Sequence, residues 1–477
     1  PTLKKMALNE KSGPGYHRVV EESAALAFGL LQDDSDENRE FLIELISDKD
    51  RNASYVRPFA AISLGLLGAE NEKYNQSFEA LVAILQGKES KPDIKPAALV
   101  AIGLLENEQS VPDLLFMLEN SKVNRQGAET LKDVELAFVV QALGKIGRPG
   151  TDENATAVVD KITALLTGKG KKKAATNIRR SSAIALGQIA PQCETKIQAK
   201  IISTLKGVAK DGQDASEKNF AMVALGRLAA SEGIDDKVRN DTVKVLQHYL
   251  AKAKPANLAQ PFAGLAMGLV GRTMSANEED IRKPLRLKFA EGAKGDPRAR
   301  GAYAIASGLV SDPLAVPELV DVLSDRGADK RLRGYAAVAL GMIGDTNSQS
   351  AIRGALTDDT DRDLRVQTAI AAGLMNDATV IEDLVEILSS GEESQYILGS
   401  VALALGQIGD ERAIKPLLAI ADDVEKKYPD ITRALATVAL GQIGDRRDVP
   451  TLARVARDIN FRAIGGVPSL TEILTIL

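Results

Sequence analysis

One short pattern, Ala-x-Gly, recurs along the whole chain of 477 residues and constrains its fold more than any other feature. Two residues before each anchoring glycine stands alanine, with Ser63 as the one exception, and two residues after it stands an aliphatic residue or methionine. Successive anchors are 32 to 43 residues apart, the length of two short helices with their turns. The twelve anchors are Gly29, Gly65, Gly103, Gly144, Gly187, Gly226, Gly268, Gly308, Gly341, Gly373, Gly406 and Gly441.

The pattern predicts tight contacts between helices. Alanine at −2, a mostly large apolar residue at −1 and an aliphatic residue at +2 give a helix one apolar stripe. Glycine inside a helix costs about 1 kcal/mol relative to alanine, so twelve such positions require compensation. We expect that compensation to be a close approach of neighbouring helices at the Ala-x-Gly surface, where a larger side chain would clash.

A second helix follows each anchoring helix. Several of these second helices open with Val-Pro-x-Leu, at 111–114, 316–319 and 449–452, and proline is tolerated in a first helical turn because the N–H it lacks has no partner there. The unit is therefore helix A, tight turn, helix B, loop. The absence of Trp and an aromatic content of 4% favour closely spaced helices over a β-sandwich.

These units resemble HEAT repeats, especially the short HEAT-like class also found in the phycobilin lyases. That class reads Arg-x-x-Ala-Ala-x-Ala-Leu-Gly-x-Ile-Gly-Asp before a Pro-x-Leu helix. The chain has this sequence at Arg333–Asp345 and again at Arg433–Asp445, where Ala-Thr replaces Ala-Ala. The resemblance covers roughly residues 15–458. It implies an all-α fold, an α-α superhelix that forms a right-handed solenoid of about twelve helix-turn-helix repeats.

The spacing of the anchors predicts four segments. Residues 1–16 are expected to form a lead-in or cap, 17–310 repeats of longer period, 311–456 repeats of short period, and 457–477 a C-terminal cap made of a partial repeat. No linker separates the two blocks, so the change of period after Gly308 is not interpreted as a domain boundary. Because the chain begins at Pro1 and not at methionine, we expect it to be processed or trimmed.

Basic residues recur eight positions before the anchors and allow two interpretations. They could form a charged ribbon for an acidic partner, or a structural ladder that pairs with Asp345, Asp410 and Asp445 of neighbouring turns. The structural interpretation is favoured because residues in register with a repeat usually serve the repeat. The basic positions are Arg57, Lys95, Arg179, Lys218, Arg300, Arg333, Arg365 and Arg433.

A separate basic segment is a candidate site for phosphate or an acidic peptide. It comprises Lys169, Lys171, Lys172 and Lys173, followed by Arg179 and Arg180, and contains no acidic residue. The alternative is a solvated loop, since a run of charge is common on protein surfaces.

Motifs for catalysis or metal binding are weak. Asp359-x-Asp361-x-Asp363 imitates the start of a calcium loop, but Leu364 stands where glycine is needed and Ile370 where a bidentate glutamate is needed. We therefore expect these acids to cap the next helix. The chain has two histidines, His17 and His248, and one cysteine, Cys193, which we interpret as a packing residue. No catalytic residue, metal site or cofactor is predicted.

The sequence favours a non-enzymatic scaffold that binds a protein or peptide partner, either alone or within a larger complex. The first alternative is a lyase or cofactor-chaperone subunit, as the resemblance implies. The second is a nucleic-acid-binding protein, which a net charge of −5 disfavours. No stretch of 18 or more apolar residues predicts a membrane span.

Overall fold

The described part of the chain consists of α-helices joined by short turns, with one isolated β-bridge between Lys122 and Thr130. This confirms the all-α fold class. The computed structural model describes residues 2–8, 18–31, 34–49, 56–68, 71–89, 92–125, 129–147, 152–168, 174–212, 214–252, 259–273, 278–291, 296–357, 361–390, 393–423 and 427–444.

The anchoring glycines lie on one set of helices, the A helices. Neighbouring A helices pack side by side, as α16 on α18 and α22 on α24. The A helices are α2 (Arg18–Leu31), α4 (Val56–Leu66), α6 (Ile94–Leu104), α8 (Asp133–Ile146), α10 (Thr176–Ile189), α12 (Ala215–Ala230), α14 (Ala259–Gly271), α16 (Pro297–Leu309), α18 (Lys330–Ile343), α20 (Arg362–Leu374), α22 (Gln395–Ile408) and α24 (Asp430–Gly444).

The B helices alternate with them, and a B helix packs against the A helix that follows it, as α9 on α10 and α17 on α18. The short first helix, α1, packs on α2 in the same way. The B helices are α1 (Thr2–Leu8), α3 (Asp36–Ser47), α5 (Asn71–Gln86), α7 (Val111–Asn120), α9 (Asp152–Thr167), α11 (Thr195–Asp211), α13 (Asp236–Lys252), α15 (Glu278–Glu291), α17 (Val316–Ser324), α19 (Gln349–Leu356), α21 (Ile381–Ser390) and α23 (Ile414–Ala421).

Most anchoring glycines face the alanine two residues before the next anchor. A β-carbon added to Gly103 would lie 2.9 Å from the Cα of Ala142, and one added to Gly406 would lie 2.7 Å from the Cα of Ala439. Real β-carbons do not approach backbone atoms this closely, so only glycine fits. The predicted close approach of helices is thereby confirmed. The same relationship joins Gly65 to Ala101, Gly144 to Ala185, Gly268 to Ala306, Gly308 to Ala339, Gly341 to Ala371 and Gly373 to Ala404.

Ser63, the exception to the alanine rule, makes use of its hydroxyl. Its Oγ donates to the carbonyl oxygens of Ala25 at 2.7 Å and Leu26 at 3.0 Å, both on α2. The residue is fully buried against Gly29. A small side chain with one donor therefore fits between α2 and α4, because its polar atom is satisfied by the neighbouring helix.

The turn from helix A to helix B has the same two-residue conformation in several repeats. The third residue after the anchor has positive φ, with values of 51° at Glu106, 47° at Ser311 and 52° at Asn376, and glycine takes this position at Gly344 and Gly409. The fourth residue is Asp or Asn, and its side chain caps a 3₁₀ turn that leads into helix B. These capping residues are Asn107, Asp312, Asp345, Asp377 and Asp410.

The chain divides into two compact units. One comprises the described residues from 2 to 228 with 232–234, and the other comprises 229–231 and the described residues from 235 to 444. The change of period at residue 310 thus falls inside the second unit. It coincides with shorter B helices, because α17, α19, α21 and α23 have 9, 8, 10 and 8 residues, whereas α11 and α13 have 17 each.

Candidate functional site

Four of the basic residues eight positions before the anchors, all arginines, point to the end of the preceding B helix. Their guanidinium groups donate to carbonyl oxygens in the last turn of that helix. These carbonyls have no partner within the helix and lie at the negative end of its dipole. Gln260, at the same position before Gly268, donates to Leu250 O at 3.1 Å. The arginine bonds are Arg57 Nε to Ile46 O at 2.8 Å, Arg300 Nε to Phe289 O at 3.0 Å, Arg333 Nε to Leu323 O at 2.9 Å and Arg365 Nε to Leu356 O at 3.1 Å.

Five of the basic residues eight positions before the anchors pair with glutamates further along the chain. Arg57 binds Glu89 through both terminal nitrogens, at 2.8 and 3.2 Å, and the two side chains are only 2% and 3% exposed. Glu89 lies in the loop before α6, so the pair connects consecutive repeats. The corresponding pairs are Lys95 with Glu129, Arg179 with Glu217 and Arg365 with Glu393, and Arg300 pairs with Glu318 of α17.

For Arg57, Arg179, Arg300 and Arg365 the acidic partners are therefore these glutamates and not the predicted aspartates. Asp345 Oδ1 accepts from the backbone N–H of Asn347 at 2.7 Å, and Asp410 accepts from the N–H of Arg412 and pairs with its side chain. Both aspartates cap 3₁₀ turns because their short side chains reach the N–H two residues ahead. Asp445 lies outside the described residues, and Arg433 lies half-buried on α24.

The predicted basic segment is only partly described. Lys169, Lys171, Lys172 and Lys173 lie outside the described residues, which resume at Ala174. Arg180 lies half-buried on α10, close enough to Asp214 to affect its ionisation. Burial opposes ionisation of Asp214, but the hydrogen bond from the backbone N–H of Glu217 and the charges of Arg180 and Arg179 outweigh it, so the pKa of Asp214 lies below its ordinary value.

The weak motifs have structural roles. Asp361 accepts from the N–H groups of Asp363 and Leu364 at 2.9 and 3.1 Å, which confirms that it caps α20. Cys193 is buried, and its thiol lies 3.5 Å from the carbonyl oxygen of Ile189. Within the described ranges, no group of three or more His, Cys, Asp or Glu side chains is placed to hold a metal ion. Nor does any helix of those ranges have the length and apolar character needed to cross a membrane.

One B helix carries a basic exposed face that sequence reasoning missed. Lys196, Lys200 and Lys210 of α11 are exposed, and Ser203 and Gly207 lie between them. At 100° per residue these five positions fall within an arc of about 80°. The helical spacing of the lysines is the signal that could have revealed this face, but other residues separate the lysines in the linear sequence.

Part of the second compact unit matches a known family of repeats. A model of the HEAT-repeat family matches residues 285–372 and 353–428. Residues 285–428 are HEAT repeats. In these HEAT repeats the Ala–Gly contacts, the capping aspartates and the short B helices all recur from α16 to α23.

Similar proteins are found beyond the family model. The chain is 30% identical over 137 residues to "Bilin biosynthesis protein PecE" of Nostoc sp. (strain PCC 7120 / SAG 25.82 / UTEX 2576), over 27% of this chain and 53% of that protein. The match thus spans about half the length of that relative.

Solved structures with some similarity include importin beta and human deoxyhypusine hydroxylase in complex with glycerol. Importin beta is 15% identical with a TM-score of 0.40, over 100% of this chain and 66% of that chain. The hydroxylase is 19% identical with a TM-score of 0.26, over 71% of this chain and 96% of that chain. An engineered protein is 19% identical with a TM-score of 0.30, over 93% and 99% of the two chains.

Proposed function

We propose that the chain is a non-enzymatic scaffold that binds a protein or peptide partner along the exposed faces of its B helices. One observation carries the proposal: the residues that recur in register with the repeat make contacts within the protein itself. The anchors pack on the next helix, the ladder arginines bind helix ends and glutamates, and the aspartates cap turns. Specificity is then left to exposed residues that vary from one B helix to the next.

The basic segment remains a proposal for partner or anion binding. Lys169, Lys171, Lys172 and Lys173 would supply the charge, together with Arg180. Because Arg179 is almost fully buried and paired with Glu217, we assign its charge to stabilising the fold and not to binding a partner. Alanine at the four lysines should therefore weaken partner binding and leave the thermal midpoint unchanged, whereas Arg179→Ala should lower that midpoint.

Site-specific photo-crosslinking tests the scaffold proposal. A photoreactive amino acid replaces exposed Glu79 on α5 or exposed Ser203 on α11, and as a control replaces exposed Gln407 on the A helix α22. In extract of the cells that make the protein, the B-helix positions should give a discrete adduct with one partner, and Gln407 should not. Adducts from Gln407 alone, or none from either B helix, would contradict the proposal.

A lyase or cofactor-chaperone subunit is the second candidate, and the match to the bilin biosynthesis protein is the observation that favours it. A subunit of this kind would bind an open-chain tetrapyrrole. Titrating the intact chain with free bilin and recording the visible spectrum tests the idea. A saturable red shift at one bilin per chain would support the second candidate against the scaffold, and an unchanged spectrum would exclude bilin binding by this chain alone.

A further inference from the structure

The B helix α11 differs from α3, α7 and α9 of its compact unit in the sign of its exposed charge. The helix α3 exposes Glu37, Glu40 and Glu44, and α7 exposes Asp113 and Glu119. The helix α11 exposes lysines instead, at 196, 200 and 210, and Lys206 is half-exposed. A basic face on a chain of net charge −5 is not explained by the average composition.

Most of this charge is not neutralised locally. Lys200 pairs with Asp160 of α9. Among the described residues, no carboxylate lies within ion-pair distance of Lys196, Lys206 or Lys210. The acids nearest in sequence, Glu194 and Asp211, are exposed at the two ends of the helix.

Gly207 in the centre of this face has no packing role. A β-carbon added there would meet nothing within 4 Å, whereas the anchoring glycines would clash with backbone. Glycine in an exposed helix lowers helix stability, and among the described residues no close helix approach compensates for it here. The bare backbone at Gly207 leaves room for another chain to approach between the lysines.

We propose that an acidic segment of a partner protein, rich in Asp and Glu, binds along α11 with its backbone close to Gly207. The proposal rests on the scaffold function and specifies the face and the chemistry of the partner. Lys196 and Lys210 lie toward the two ends of the helix and would pair with carboxylates on either side of the contact. Charge complementarity identifies the occupant, because an excess of unpaired ammonium groups attracts an acidic chain.

Fluorescence anisotropy with the intact chain and a fluorescein-labelled ten-residue oligoglutamate tests the proposal. Gly207→Leu should weaken binding about tenfold, because the new side chain occupies the approach path. Gly354→Leu on α19 is the matched control, since that glycine also has nothing within 4 Å of its would-be β-carbon. Leucine favours helix over glycine, so neither variant should unfold the protein, and the control should bind like the original. The double variant Lys196→Glu with Lys210→Glu should also weaken binding about tenfold.

Two results would overturn the proposal. The first is an absence of oligoglutamate binding at low ionic strength, or binding that Gly207→Leu and the lysine reversals leave unchanged. The second is tighter binding of an oligothymidylate of equal charge through the same residues, which would assign the face to nucleic acid. If oligoglutamate fails while the photo-crosslinks from α5 appear, the inference falls and the scaffold stands. If both fail, the scaffold proposal falls as well.

Discussion

The Cα of Ala371 lies 2.7 Å from the point that a β-carbon on Gly341 would occupy, so α18 and α20 pack with no space for even one methyl group. The backbone carbonyl oxygen of Ala371 lies almost as close, at 2.8 Å. A methyl group there could be admitted only by moving one helix relative to the other. The spacing of the A helices therefore depends on the absence of a side chain at one position in each repeat.

Gly341→Ala should destabilise the protein although alanine is the better helix former. Overpacking against a backbone costs about 1–3 kcal/mol, which outweighs a gain of about 1 kcal/mol in helix propensity. Urea denaturation followed by circular dichroism should show a lower midpoint. Gly354→Ala, where the space is open, should raise it. Equal shifts of the same sign in the two variants would contradict the close-packing explanation.

Glu106→Gly should stabilise the protein. Glu106 has a φ of 51°, a left-handed conformation that costs a residue with a β-carbon about 1–2 kcal/mol. Glycine removes that strain but loses about 0.4–1 kcal/mol through the greater freedom of the unfolded chain. We expect a net gain of about 0.5–1 kcal/mol in the free energy of unfolding. Gly344→Ala, at the equivalent turn with φ 73°, should have the opposite sign.

Asp361→Ala should remove the cap of α20 and cost about 1–2 kcal/mol at neutral pH. Burial opposes ionisation of Asp361, but the N–H groups of Leu364 and Asp363 and the Lys330 ammonium outweigh it, so the pKa lies below its ordinary value of 3.8. The stabilisation by the carboxylate is thus complete above pH 3.8 and is lost as the pH falls through the lower pKa of the folded state. The difference between the two proteins in thermal midpoint should shrink over that acidic range, and a constant difference would argue against the carboxylate.

Arg57→Met should destabilise the protein by about 3–5 kcal/mol, because it leaves Glu89 buried without its partner. The carbonyl oxygen of Ile46 also loses a donor. Adding Glu89→Gln should restore part of the loss, since a neutral amide is less costly to bury than a lone carboxylate. A double-mutant cycle measures the coupling between the two residues. Additive effects of the two substitutions would show that the buried pair contributes no coupling energy.

The sequence predicts the glycine contacts well and the ladder partners poorly, for a physical reason. Gly341 and Ala371 are in register because both belong to the repeat. Glu89, Glu217 and Glu393 lie 32, 38 and 28 residues after their arginines, Glu217 in the first turn of α12 and the other two in loops, so no fixed spacing reveals them. The carbonyl partner of Arg57 cannot be identified from side-chain types at all, because every residue carries that group.

The exposed lysine face of α11 could be predicted only in part from the sequence. Its lysines are visible in the sequence, but their exposure and the open space at Gly207 follow only from the packing of α11 on its neighbours. Gly207 and Gly187 are the same residue type, twenty positions apart, yet a β-carbon at Gly187 would lie 3.0 Å from Ala224, and one at Gly207 would meet nothing. The repeat register identifies Gly187 as an anchor, but only the three-dimensional contacts show that the space beside Gly207 is open.

The contact between glycine and alanine also gives each A helix a direction along the array. A helix such as α20 offers Gly373 to the helix after it and Ala371 to the helix before it. A whole repeat could therefore be duplicated or deleted in frame and still find a complementary surface on both sides. An inverted repeat would place glycine against glycine and leave a void. Such a chain can therefore be extended only by adding repeats in the same orientation, head to tail.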